Sequence, residues 1–157
     1  IRDFAEINDT MSELTGVPAS NGSVRATYLE LVQALPSNND ADAFVSAHQM
    51  GISRLALDYC DQLVENTGPR DAFFGAGFSW DASPTIFATV ANRDAIINPI
   101  STRMLGTGLA NQPTAAEVRP HLDTLFDQLT VGATTSTRNV VKGVCASVLS
   151  SAAVQIH

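Results

Sequence analysis

Lysine is almost missing from this chain of 157 residues, since Lys142 is the only one. Nine basic residues stand against sixteen acidic ones, which gives a net charge of −7 and a pI near 4.7. An acidic surface repels polyanions, so the sequence argues against nucleic acid and anionic membrane surfaces as partners. Apolar runs long enough to span a bilayer are also missing, so membrane insertion is not expected.

Sequence motifs of catalysis and cofactor binding are absent as well. The chain has no P-loop, dinucleotide glycine fingerprint, paired-histidine zinc helix, calcium loop, nucleophile elbow or haem-attachment motif. We therefore predict no catalytic residues, no metal ligands and no cofactor, and we do not expect an enzyme.

Cysteine occurs twice, at Cys60 and Cys145. Such a pair forms either one long-range disulfide or two buried thiols. The scarcity of lysine favours an exported protein, and disulfides persist in oxidising compartments. We expect the bridge, in a secreted, periplasmic or cell-surface protein, with free thiols as the alternative. The chain opens at Ile1 instead of methionine, which suggests a piece processed or excised from a longer protein.

Helical periodicity is the main pattern that is present. Its longest run covers residues 39–66, where apolar residues recur at spacings of three and four along one face. These apolar positions are Phe44, Ala47, Gly51, Ile52, Leu55, Ala56, Tyr59 and Leu63. Further helices are predicted at 2–15, 23–35, 83–92, 93–105, 114–132 and 137–155. Ser23 is expected to cap the helix at 23–35. Pro99 is expected to cause a kink or a break near Asn98, and Thr114 with Glu117 has the spacing of a capping box. No convincing strand pattern occurs. We predict a single all-α domain over 1–157, an irregular bundle of six or seven helices around the long central helix.

Residues 68–82 form an aromatic-rich segment with three glycines, and we interpret it as a short helical turn at Asp71–Phe74 followed by an ordered loop. Its large rings are Phe73, Phe74, Phe78 and Trp80. These rings are costly to leave in water, so the loop is expected to fold over the helices. Additional core is the favoured interpretation. The alternative is the wall of a ligand pocket that also includes His48.

His48 lies on the apolar face of the central helix, between Phe44 and Ile52. It could serve as an axial ligand or a general base, but a core histidine bonded to a carbonyl group is favoured, because catalysis needs convergent partners. Glu117 and His121 are one helical turn apart, which suits two metal ligands, yet a surface pair is expected there.

Three carboxylates, Asp58, Asp61 and Glu65, form an acidic strip on the central helix. Catalytic carboxylates would need a cleft and different pKa values. A solvated face needs neither, and Arg54 is placed to pair with Asp58 at i,i+4. We therefore expect a solvated face.

Three stretches carry a resemblance to a known group of sequences: TMSELTGV at 10–17, SAHQMGISRLALDYC at 46–60 and VCASVLSSAA at 144–153. Together they resemble an uncharacterised helical region near the C-terminus of large exported proteins of marine proteobacteria, often in chains with laminin-G-like domains. The resemblance implies a cell-envelope or extracellular setting and a disulfide. It supplies no catalytic residue.

Two hypotheses for function follow. The first is a non-catalytic helical module of a secreted or cell-surface protein, which serves assembly or docks a protein partner or the remainder of its parent chain. The second is a helical bundle that binds a small apolar ligand or cofactor beneath the aromatic loop, near His48.

Overall fold

A computed structural model describes residues 3–34, 46–105, 112–131 and 135–151 of the chain. Within these ranges it contains seven α-helices and one 3₁₀ helix, with no strand. The helices are α1 (Phe4–Thr15), α2 (Gly22–Ala34), α3 (Ser46–Glu65), α4 (Thr67–Phe74), the 3₁₀ helix (Pro84–Ala88), α5 (Val90–Met104), α6 (Ala115–Thr130) and α7 (Thr137–Leu149). The predicted all-α bundle is confirmed.

Helix α3 lies at the centre and packs against α1, α2, α4 and α7. Its predicted apolar face is buried, with Ile52, Leu55, Ala56, Tyr59 and Leu63 each at most 1% exposed. Residues 39–45 of the predicted central helix, including Phe44, lie outside the described residues.

Helix α7 runs antiparallel to α3 along the middle of the bundle. Arg138 at the start of α7 pairs with Glu65 at the end of α3, and Gln49 near the start of α3 donates to the Ser150 carbonyl oxygen. The small and branched side chains of α7 are buried: Val140, Val141, Val144, Cys145, Ala146, Val148 and Leu149. The two helices therefore share one core.

The ends of α1 and α2 follow from local capping. Asp3 and Glu6 form a capping box at the start of α1, and Gly16 ends it in the left-handed conformation with φ 73°. These are the signals expected at the two ends of a helix. Our prediction that Ser23 caps α2 is wrong. The Asn21 side chain accepts from the Ser23 and Val24 amides and takes that role.

Two boundaries near the aromatic segment differ from the sequence prediction. Helix α4 begins at Thr67, before the predicted turn at Asp71–Phe74, and Pro69 lies in its first turn, where a missing amide hydrogen is tolerated. The loop begins at Gly75, after Phe74, as predicted. The predicted helix 83–92 is instead a 3₁₀ helix that ends at Ala88, after which α5 starts at Val90.

Proline lies inside two helices without ending either of them. Helix α5 continues through Pro99, where a kink or break was predicted near Asn98, and α6 continues through Pro120. Ile96, Ile97 and Ile100 on both sides of Pro99 are buried in the core. Tertiary packing therefore holds α5 helical where the local preference opposes it.

Candidate functional site

The two cysteines form a disulfide between α3 and α7. The Cα atoms of Cys60 and Cys145 are 5.9 Å apart, and both residues are fully buried. The predicted bridge is confirmed. It joins residues 85 positions apart in the chain, so it links the two central helices directly.

A polar cluster lies beside this bridge, at the surface between α3 and α7. The ammonium group of Lys142 is 2.6 Å from Asp61 and 2.5 Å from Glu65. Burial lowers the pKa of Lys142, but its hydrogen bonds to Asp61 and Glu65 outweigh that effect, so the pKa is raised. The only lysine is therefore held as a cation and is not prepared to act as a nucleophile.

The same cluster holds the loop at the end of the aromatic-rich segment. Arg138 pairs with Asp81 at 2.8 Å as well as with Glu65 at 3.1 Å, and the buried Thr137 hydroxyl donates to the Ala82 carbonyl oxygen. Hydrogen bonds from Lys142, together with its charge, lower the pKa of Glu65. These groups fasten the loop to both central helices.

Asp58 does not pair with Arg54, so that prediction is wrong. The Asp58 carboxylate accepts from the Ser23 and Thr27 hydroxyls at 2.8 Å each, and Arg54 makes a two-point contact with Glu30. Helix α2 packs alongside α3 and supplies these partners. The carboxylates of the acidic strip therefore form contacts between helices.

A second ionic cluster joins α5 to α6. Arg119 contacts Asp94 at 2.6 Å and Asp123 at 2.8 Å, while Arg93 reaches Asp123 and Asp127. The hydrogen bond that Arg119 donates to the Asp123 carboxylate is the largest influence on the pKa of Arg119 and raises it. The sequence shows only the i,i+4 pair Arg119–Asp123 of this cluster, because the other ion pairs join two different helices.

Glu117 takes part in the predicted capping box and does not pair with His121. Its carboxylate accepts from the Thr114 amide at 2.8 Å and from the Thr114 hydroxyl at 2.8 Å. The amide, followed by the hydroxyl, lowers the pKa of Glu117. Across the described ranges, no group of three His, Cys, Asp or Glu side chains is placed to hold a metal ion.

The four rings of the aromatic segment lie next to one another. Phe74 lies edge-on to Trp80 with centroids 5.3 Å apart, and Phe78 lies edge-on to Trp80 at 4.9 Å. Phe73 contacts Phe74 at 4.7 Å. Phe73 and Trp80 are buried, and the other two pack against the core.

His48 lies away from these rings. The Arg70 guanidinium covers the Trp80 ring at 5.2 Å and donates to the Val64 carbonyl oxygen, which places the rings at the C-terminal end of α3. His48 is half-buried near the N-terminal end, about 24 Å away along the helix at 1.5 Å per residue. The structure therefore does not bring His48 and the rings together.

An open cleft of about 530 Å³ lies between α6 and α7 and was not predicted from the sequence. Its apolar walls are Leu105, Pro113, Val118, Leu122, Leu125 and Val148. Five polar residues, His121, Thr124, Gln128, Ser147 and Ser151, complete the lining. The sequence gives one indication of this cleft, because the spacing of Val118, Leu122 and Leu125 places them on one helical face. In the structure, Val118 and Leu125 on that face are only half-buried.

None of the described helices is both long enough and apolar enough to cross a membrane. Comparison of the chain with known protein families, with curated proteins and with solved structures gives no match.

Proposed function

We propose that this chain is a non-catalytic helical module of a secreted or cell-surface protein, serving assembly or protein–protein docking. The observation that carries the proposal is the fully buried Cys60–Cys145 disulfide between α3 and α7. A bridge of this kind persists in oxidising compartments and is rare in the cytosol.

The polar clusters support a structural role for the titratable groups. Asp61, Glu65 and Lys142 connect α3 to α7, and Arg93 and Arg119 connect α5 to α6. In an active site we would expect an acid and a base with opposed pKa shifts facing a cleft. Here the shifts of Glu65 and Lys142 both stabilise the charged forms of an ion pair.

Helix α2 offers the surface that best suits docking. Leu29 and Val32, one turn apart on its outer face, are 45% and 46% exposed. Two large apolar residues side by side on an acidic protein suit a partner with apolar side chains surrounded by basic residues. A basic protein surface is therefore the proposed partner.

The test is native mass spectrometry of the protein isolated from the cells that produce it. We expect a complex of defined stoichiometry that the Leu29→Glu/Val32→Glu double variant loses. The Thr85→Glu/Ala88→Glu double variant adds the same charge at two exposed positions of the 3₁₀ helix and should retain the complex. A bare monomer, together with a turnover that His48→Ala abolishes, would contradict the proposal.

One observation favours the second hypothesis, a small ligand at the aromatic loop. The Trp80 indole N–H is buried and has no hydrogen-bond partner among the described residues. Buried donors nearly always have an acceptor, which a bound ligand or water would supply. Mass that the purified protein retains under native conditions and loses on denaturation would support this hypothesis, provided that Trp80→Phe removes it.

A further inference from the structure

We propose that the cleft between α6 and α7 binds a small, uncharged, mostly apolar molecule that carries one hydrogen-bond acceptor. This site is separate from the docking surface on α2 and from the aromatic loop. Ligand binding at the cleft can therefore be tested independently of the proposed function.

The size of the cleft suits such a ligand. Its volume is about 530 Å³, within the range of about 300–1,000 Å³ that is typical of small-molecule sites. Val118 and Leu125 are only half-buried in the free protein. A ligand in the cleft would remove their exposed carbon atoms from water, which is the main driving force for apolar binding.

The electrostatic character of the cleft indicates an uncharged ligand. The chain has sixteen acidic and nine basic residues, yet none of the described residues that line this cleft is Asp, Glu, Lys or Arg. An ionic ligand would lose its hydration without gaining a counter-ion, which is unfavourable. A neutral molecule avoids that penalty.

One end of the cleft is able to hydrogen-bond. A Cβ on Gly143 would lie 2.9 Å from Leu129 Cδ1, so α7 is in close contact with α6 at this point. His121 lies eight residues before Leu129, and Ser151 lies eight residues after Gly143. Both His121 and Ser151 line the cleft. These two polar residues therefore lie toward the same end.

Ser151 supplies the donor. Its hydroxyl is buried and has no hydrogen-bond partner within the described part of the chain. Rotation about its single side-chain torsion moves the hydroxyl between staggered positions, so it can turn toward the cleft. A buried hydroxyl without a hydrogen-bond partner is unfavourable. A ligand whose carbonyl oxygen accepts a hydrogen bond from Ser151 would remove this cost.

The probe is camphor, a compact neutral ketone, titrated into ¹⁵N-labelled protein and followed by amide chemical shifts. We expect saturable shifts confined to α6, α7 and the residues beside them. Ser147→Phe, at an exposed position on the cleft wall, fills the cleft and should weaken binding by at least about tenfold. Ala26→Phe adds the same ring to the exposed side of α2 and should leave the affinity unchanged.

Two further measurements keep the test decisive. Val118→Thr changes the polarity of the cleft wall at nearly constant volume, and it should also weaken binding. Camphane, the hydrocarbon analogue, should bind more weakly than camphor, and Ser151→Ala should remove that difference. Absence of saturable shifts, shifts located elsewhere, or equal affinities for Ser147→Phe and Ala26→Phe would overturn the proposal.

Discussion

The Tyr59 hydroxyl lies 2.9 Å from the side-chain oxygen of Asn8 and 3.1 Å from its backbone carbonyl oxygen. Tyr59 is on α3 and Asn8 is on α1, and both are buried. The contact fixes α1 against the central helix. Burial raises the pKa of Tyr59 to about 12 from the ordinary 10.0.

This pKa predicts a loss of stability in alkaline solution. The unfolded chain releases the Tyr59 proton at a lower pH than the folded protein does, so the stabilisation is complete below the ordinary pKa. It falls as the pH rises through the folded value, by about 2–3 kcal/mol for a shift of this size. Urea unfolding measured on both sides of this pH window should show the fall.

Tyr59→Phe should flatten that alkaline dependence. It should also lower the free energy of unfolding at neutral pH by about 1 kcal/mol, because the hydrogen bond to Asn8 is lost. Tyr28→Phe, at the other tyrosine of the chain, is the control and should keep the wild-type dependence. An alkaline dependence that survives in Tyr59→Phe would show that another group is responsible.

The disulfide is expected to contribute a large part of the stability. The Cys60→Ala/Cys145→Ala variant should lose about 2–5 kcal/mol of unfolding free energy, since the bridge constrains a long loop in the unfolded chain. Denaturant unfolding measures this loss. Wild-type protein unfolded in the presence of a reductant keeps both sulfur atoms but lacks the cross-link. Comparison with the double variant therefore separates the effect of the cross-link from the effect of the lost side-chain packing. Equal stability of the oxidised and reduced wild type would contradict the expectation.

Lys142→Met tests the polar cluster between α3 and α7. Asp61 and Glu65 are 44% and 42% exposed, so solvent screens the pair and the expected cost is about 1 kcal/mol. The pKa of Glu65 is lowered in the folded protein, so its ion pair stabilises the fold above the ordinary pKa of 4.5. This stabilisation is lost as the pH falls through the pKa of Glu65 in the folded protein.

The dependence of stability on acid pH therefore distinguishes the loss of the ion pair in Lys142→Met from the loss of one positive charge. Lys142→Met should lose less stability than the wild type between neutral and acid pH, because Glu65 no longer has its main partner. Arg25→Met removes one exposed positive charge from α2 and should retain the wild-type acid dependence. Identical profiles for all three proteins would argue against the ion pair.

Gly16→Ala tests the end of α1. Gly16 adopts φ +73°, a left-handed conformation that disfavours a side chain. The substitution should cost about 1 kcal/mol. Gly22→Ala is the matched control, because Gly22 lies in the first turn of α2 with no atom within 4 Å of the added carbon, and alanine should stabilise that helix. Thermal unfolding should move the two variants in opposite directions.

Local signals in the sequence were enough to locate several elements. Helix α1 has apolar spacing, an acidic first turn and a terminal glycine, and α6 has its capping box at Thr114. Each signal acts within a few residues, so it can be recognised without knowledge of the fold. The buried positions of α3 and α7 followed from periodicity for the same reason.

Features that depend on tertiary contacts could not be predicted in this way. A kink or a break was expected in α5 near Pro99, but the buried isoleucines around this proline keep the segment helical. Arg54 was expected to pair within α3, but α2 presents Glu30 to it. The cleft takes its walls from Leu105, α6 and α7, which are separated in the sequence, so no single periodic pattern reveals the whole site.

An oxidised helical module of an exported protein is expected to contain no free thiol, which free-thiol quantification would measure. Protein isolated from its producing cells would be denatured without reductant and treated with a maleimide reagent, and its mass would be measured. We expect no added mass, because Cys60 and Cys145 are bridged. Two maleimide additions would contradict both the bridge and the argument for export.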